Sequence, residues 1–412
     1  MNRLPISTIV LALLVFIVYL MITPLYSHMY DASCWRNWIG IISEKGLGHC
    51  YESDINYLPG HLYIFKLLLL ILPSAQYLQN HLIILKYISL LFDFGGALLI
   101  ASLAENSRTQ ILLFLAIVLN ISFLHNSMLW GQFDSVFTFF AFASILAALR
   151  QKQLMSFLLY IVALNFKFQA ILFFPLFFLL HVYQFILTPK PKKLLLNIGI
   201  LCVFQAVILL PWILAHSTNK ILDVFHTLGG GYNYISVYAG NLWYLMVPGD
   251  LRWTGDSIIW MGLTLKSWGQ IMSLSFLILS LFPSMLAIFT YLKSKKRILD
   301  QEIIFAIGAL SVMAFFFFNT QMHERYTYPA FLFLAAYCYR SSQWWIYIVF
   351  SIAYFLNNEF SLGFFHLKGM MADFNFQQVS KLYLFVILNL LIAMYWKVIK
   401  TKKNQRSIVE SN

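Results

Sequence analysis

The chain has 412 residues, 60% of them hydrophobic and only 11% charged, with a mean hydropathy of +0.75. Soluble domains carry about 25% charged residues, so this composition excludes a soluble globular protein and predicts an all-α integral membrane protein. The formal charge of +12 does not point to nucleic acid, because most of the basic residues fall in short loops, as membrane sidedness requires.

The first apolar run, Ile6 to Thr23, is followed by Pro24-Leu25-Tyr26 rather than by small residues, so it reads as a span and not as a cleaved signal. Further spans are expected at 82–103, 110–127, 135–149, 154–168, 171–188, 194–215, 270–292, 303–319, 327–339, 343–356 and 382–396. Together they make about 12 transmembrane helices (11–13) in one polytopic domain, 1–412, with both ends in the cytoplasm. Arg3, Arg108, Arg150, Lys152, Lys190, Lys192, Lys193, the Lys293 to Arg297 cluster, Arg340 and a basic tail, 397–412, then share the inner face. Leu62 to Pro73 is short, contains Lys66 and follows Pro59-Gly60. It reads as an interfacial helix inside a first external loop, 25–80. Segments 216–269 and 357–381 are the other large external loops, and the outer face collects most of the acids, Asp373 among them, and many of the Tyr and Trp residues. Aromatics there serve as an interface belt or as a surface for sugar rings.

Cys34 and Cys50 share the first external loop and could pair in an oxidising compartment, while Cys202 and Cys338 lie in apolar runs. Asp31 follows the first span among Tyr30, Trp35 and Trp38; a carboxylate beside apolar rings becomes a stronger base. The turn Trp130-Gly131-Gln132-Phe133-Asp134 offers an indole, an amide and a carboxylate suited to hydroxyl-rich ligands or a phosphate-bound cation. Asp134 reads equally well as the cap of the next helix. Lys167 and Gln169 stand in an apolar stretch, where an ammonium requires an anion such as a lipid phosphate, or snorkels to the interface. Lys86 and Asp93 are two helical turns apart and read as structural polar groups. His61, His81 and His125 occur singly, and no His/Cys spacing resembles a zinc site. Gly229-Gly230-Gly231 follows no strand and is not a phosphate loop. Between Ile303–Phe318 and Pro329–Tyr339 stands Met322-His323-Glu324-Arg325-Tyr326. Three ionisable groups at a bilayer boundary are functional by default, the competing role being an interfacial anchor.

Asp31, Tyr57-Leu58-Pro59-Gly60-His61-Leu62-Tyr63, Trp130 to Asp134, Phe166-Lys167-Phe168-Gln169, Asn241-Leu242-Trp243-Tyr244 and Met322 to Tyr326 together resemble bacterial membrane proteins related to the second mannosyltransferase of GPI-anchor synthesis. Those proteins belong to the GT-C superfamily of glycosyltransferases that use polyprenyl-phosphate sugars. Leu58 departs from the pattern, where relatives more often carry a second proline. The resemblance implies a GT-C-like bundle with juxtamembrane helices in the first external loop and an active site on the outer face. It implies transfer of a sugar, mannose by family expectation, from a polyprenyl-phosphate donor to a hydroxyl on a glycan or glycolipid acceptor, with inversion. Asp31 would be the general base; Arg325, His323 and Lys167 would bind the donor phosphate. Trp130, Gln132, Asp134, Gln169, Asn241, Trp243, Glu324 and Tyr326 would shape the substrate pocket. No metal is expected as cofactor, although Asp134 leaves a divalent ion open. Asn120-Ile121-Ser122 lies in a span and no external sequon occurs, which fits a bacterial inner membrane. The rival readings are a transporter or flippase of lipid-linked sugars, which does not explain the acidic, aromatic loops, and an oligosaccharide polymerase or ligase, which would centre on arginines in one loop.

Overall fold

The computed structural model describes residues 2–25, 28–227, 232–294, 300–367 and 375–410, with backbone alone for 225–227, 293–294 and 401–410. Gly229 to Gly231, Asp373, Lys295, Lys296 and Arg297 lie outside the described residues, as does the side chain of Lys293.

The chain is an all-α membrane protein. Its helices, in order, are α1 (Ile6–Ile22), α2 (Met29–His49), α3 (Pro59–Ile71), α4 (Ala75–Asn80), α5 (Ile83–Ala101), α6 (Ser107–Val118), α7 (Ile121–Leu124), α8 (Asp134–Leu149), α9 (Gln153–Phe166), α10 (Phe174–Leu187), α11 (Pro191–Leu214), α12 (Thr218–Thr227), α13 (Trp243–Met246), α14 (Leu265–Ser294), α15 (Gln301–Phe318), α16 (Ala330–Ser341), α17 (Trp344–Leu362) and α18 (Phe376–Glu410). Each expected span coincides with helix, but the expected twelve full crossings are corrected. Among the described residues, six helices are long and apolar enough to cross a membrane, or seven if the pair Ser107–Val118 and Ile121–Trp130, bent by 56°, counts as one. The reason is length. At 1.5 Å per residue a helix needs roughly 20 residues to cross about 30 Å of hydrocarbon, whereas α1, α8, α9 and α16 have 17, 16, 14 and 12. Breaks in the chain end these helices early, such as the charged turn Arg150 to Lys152 after α8 and the extended backbone at Lys167 after α9.

Two further expectations change. The first loop contains α2, helical over Met29–His49 with a break at Gly46, besides α3 and α4. Pro59 opens α3 at a position where its missing N–H costs nothing. The loop expected at 357–381 begins inside α17, where Asn357, Asn358 and Glu359 are helical and buried.

Two compact units result: Met1–Ile171 with Gln184–Tyr232, and Leu172–Tyr183 with Asn233–Asn412. In the first, α5 packs on α6 and α8, and α8 on α9, while α2 lies against α3 and α4. Trp35, Trp38, Ile39 and Ile42 of α2 join Leu62, Phe65, Leu85, Phe133 and Trp212 in one core. In the second unit α15 is the centre, with 83% of its span buried, packed against α14, α16 and α18. Gly308 lets α16 approach so closely that a Cβ there would stand 2.2 Å from the Phe333 ring. In contrast, 6% of the α11 span is buried; its sides suit hydrocarbon as solvent. Short strands complete the second unit: Ser236–Val237 runs parallel to Met322–His323, and Ile259–Trp260 pairs antiparallel with Leu263–Thr264.

Candidate functional site

The first unit gathers five predicted residues, Asp31, Trp130, Gln132, Asp134 and Lys167, at one turn. Residues His125–Trp130 form a wide helical turn, closed by the Gly131 amide donating to the Asn126 carbonyl at 3.0 Å. Such turns cluster at functional sites. Gly131 ends it with φ of 91°, a left-handed conformation that an L side chain resists. The chain can therefore reverse between Trp130 and Gln132 and aim both at the same place. Trp130 Nε1 donates to Asp31 Oδ2 at 2.8 Å and Gln132 Nε2 donates to the same oxygen at 2.7 Å. Phe133 turns the other way, into edge contacts with Trp35, His61 and Phe65. Asp134, buried, forms an ion pair with Lys167.

Asp31 sits in the first turn of α2, not in a loop, and it is met by hydrogen-bond donors rather than by bare aromatic rings. An ionised carboxylate is acceptor-only, which matches two converging N–H groups. Tyr57 extends the network, its hydroxyl donating to Gln132 Oε1 at 3.4 Å. Three flanking residues, Leu25, Met29 and Tyr30, are strongly exposed apolar side chains. Burial pushes the Cys34 thiol up, with the Asp31 charge adding to it, and burial pushes Cys50 up to about 11. The two cysteines are unbridged.

The anion expected for Lys167 is thus supplied by Asp134, and its Nζ also stands 5.7 Å from the centroid of the Phe137 ring. Gln169 is half-buried in the short helical turn after Lys167 and takes no part in the contacts around Asp31 or Asp134. His61 is enclosed by Tyr57, Phe133 and Phe166. Burial, with the Lys167 charge adding, pushes its imidazole down to about 3, so it is held neutral.

Lys86 explains how the turn is fixed. Fully buried in α5, its Nζ donates to the carbonyls of Pro24, Met128 and Leu129 at 2.9, 3.0 and 3.1 Å. Backbone carbonyls are suitable acceptors for the N–H donors of an ammonium group. The clamp joins the chain just before α2 to the chain just before Trp130, the two strands that carry the Asp31 hydrogen bonds.

The second unit holds the His323-Glu324-Arg325-Tyr326 segment. Glu324 is buried; Arg325 donates to its Oε1 at 2.8 Å, and His323 Nδ1 stands 3.7 Å from its Oε2. Burial alone would raise the Glu324 carboxyl, but His323 and Arg325 outweigh it and hold the group below the usual carboxylate range. The Tyr326 ring lies 5.2 Å from that of His323 and 6.0 Å from the Arg325 guanidinium. Asn357 donates to the Glu324 carbonyl at 2.9 Å and accepts from the Gly240 amide at 2.6 Å. Asp256 Oδ2 accepts from Thr320 at 2.9 Å and Gln321 at 2.7 Å, fixing the approach to the segment.

Asn241 and Trp243, expected in a substrate pocket, are fully buried and cap the end of α15. Asn241 donates to the Asn319 carbonyl at 3.1 Å and Trp243 Nε1 to the Phe318 carbonyl at 3.0 Å. His28, Tyr57, Lys86, Asp256 and Asn357 were not among the expected site residues. Of these, Tyr57 stands inside the Tyr57 to Tyr63 motif and Lys86 is spaced two helical turns from Asp93, while the others carry no local pattern. Among the described residues no group of three or more His, Cys, Asp or Glu side chains is placed to hold a metal. A scan against protein-family models finds no match, and neither does a search of curated proteins.

Proposed function

We propose that the protein is a membrane glycosyltransferase of GT-C-like architecture, moving a sugar, with mannose first in expectation, from a polyprenyl-phosphate donor to a hydroxyl acceptor with inversion. The observation that carries the reading is the Asp31 carboxylate, oriented by Trp130 and Gln132 and bordered by the exposed apolar side chains of Leu25, Met29 and Tyr30. Indole and amide groups around a carboxylate suit a hydroxyl-rich ligand, and an apolar border suits one delivered on a lipid. In this reading the helices α2, α3 and α4 are the juxtamembrane helices of a first external loop, and the site faces the outside of a bacterial inner membrane.

Lys167, His323 and Arg325 are the cations proposed for the donor phosphate. All three already face carboxylates, Lys167 with Asp134 and both His323 and Arg325 with Glu324, so phosphate binding there requires an exchange of anion. Polyprenyl phosphate release from a polyprenyl-phosphate-mannose donor, with cell-envelope extract as acceptor, tests the reading. Release by the wild type and its loss in Asp31→Asn is the expected result. Movement of the intact donor across proteoliposomes without release, for mannose, glucose and pentose donors alike, would replace the transferase by a flippase.

A further inference from the structure

His28 is the N-cap residue of α2 and has no role in the assignments above. Its ring stacks on Trp130, with centroids 5.1 Å apart and planes inclined by 29°. The Nδ1 atom is buried and stands 3.2 Å from Asp31 Oδ2, near enough for an ion pair but off hydrogen-bond alignment. Yet 36% of the side chain is exposed. With Nδ1 turned inward, the exposed part is the opposite edge of the ring, which carries Nε2.

Asp31 Oδ2 already accepts from two buried donors, Trp130 and Gln132. Those donors fit an ionised carboxylate, which is acceptor-only, and an ionised carboxylate 3.2 Å from Nδ1 is the counter-charge an imidazolium needs. The two nitrogens of the ring have separate roles, one held by a carboxylate and the other open to a proton.

We propose that His28 is the proton acceptor of the transfer and that Asp31 positions it. The inference rests on the glycosyltransferase reading and changes its chemistry. In the step, the acceptor hydroxyl oxygen forms a bond to the anomeric carbon of the donor sugar. The bond from that carbon to the phosphate oxygen breaks, and its electron pair leaves with polyprenyl phosphate. The hydroxyl proton passes to His28 Nε2, and the resulting imidazolium is balanced by Asp31 through Nδ1–H. A small rotation of the ring aligns that contact. Asp31→Asn then fails because the imidazolium loses its counter-charge and the ring its orientation, so that variant alone cannot separate the two assignments.

The separating experiment uses His28→Ala and His28→Gln in the full-length protein in lipid. Polyprenyl phosphate release is followed alongside thermal unfolding. His28→Ala is expected to lose about 10²–10⁴-fold in kcat with KM for the donor little changed, and to regain activity in proportion to added imidazole. His28→Gln fills the space without a proton acceptor and is expected to stay inactive with imidazole present. A His28→Gln protein within twofold of wild-type kcat, or a folded His28→Ala protein that imidazole does not rescue, overturns the proposal and leaves Asp31 as the base. A wild type that releases nothing from any donor is a different result; it removes the transferase reading and this inference with it.

Discussion

Asp31 in the first unit and Glu324 in the second are both carboxylates at the heart of a polar cluster, yet they are held in different ways. Asp31 keeps 18% of its side chain exposed and meets the indole of Trp130, the amide of Gln132 and, at 3.2 Å, the imidazole of His28. Glu324 keeps 2% and is compensated by a guanidinium and an imidazole. A partly exposed carboxylate held by an indole, an amide and an imidazole has no guanidinium partner among its described contacts. One paired with arginine has its charge neutralised and serves mainly to fix its partner. On the proposed glycosyltransferase reading, the contrast puts turnover at the first cluster and positioning of Arg325 at the second.

The largest effect that would sharpen the contrast is on rate. Asp31→Asn should lower release by about 10²–10⁴-fold while leaving the thermal midpoint near wild type, because the amide fills the same space. A variant that unfolds instead would break the contrast, making Asp31 structural. Next comes Arg325→Met, which strands a buried carboxylate and should cost about 3–5 kcal/mol of stability. The double variant Glu324→Gln, Arg325→Met should recover much of that loss in denaturant titrations. A smaller loss is expected for Gly131→Ala, about 1–2 kcal/mol for forcing a side chain into left-handed backbone, with release falling further than stability because Trp130 and Gln132 lose their common aim. The smallest effect is in acid. Glu324 has its folded pKa depressed, so its contribution is fully present above the unfolded value of about 4.3 and is lost as pH falls through the folded one. Midpoints measured from pH 6 down to pH 3 should therefore fall more steeply for wild type than for Glu324→Gln.

The sequence made some of this legible. Spans expected at 82–103 and 303–319 correspond to helices Ile83–Ala101 and Gln301–Phe318, since long apolar runs leave the backbone little choice in hydrocarbon. The helix α2 was missed for the opposite reason. It mixes aromatic with polar residues, and average apolarity hides it. Its spacing does not, because Trp35, Trp38, Ile39 and Ile42 recur every three or four residues and all are buried. Asp31, Trp130 and Gln132 were each singled out locally, but their meeting joins residues about a hundred positions apart, which no local pattern records. The Asp134 contact of Lys167 was hidden for the same reason, since the two lie 33 positions apart. Asn241 and Trp243 look like pocket residues because amides and indoles do bind sugars; the end of α15 needed the same donors.

The Lys86 clamp also sets an order of assembly. Its acceptor at Leu129 lies 43 positions further along the chain, and at synthesis rates of about 5–20 residues per second the lysine waits on the order of a few seconds before that carbonyl emerges. During that interval a helix entering the bilayer carries an amine whose final carbonyl acceptors do not all exist. Biogenesis, more than the finished fold, is then where Lys86 is expensive. A Lys86→Met chain should insert more readily while assembling its Asp31 centre less faithfully.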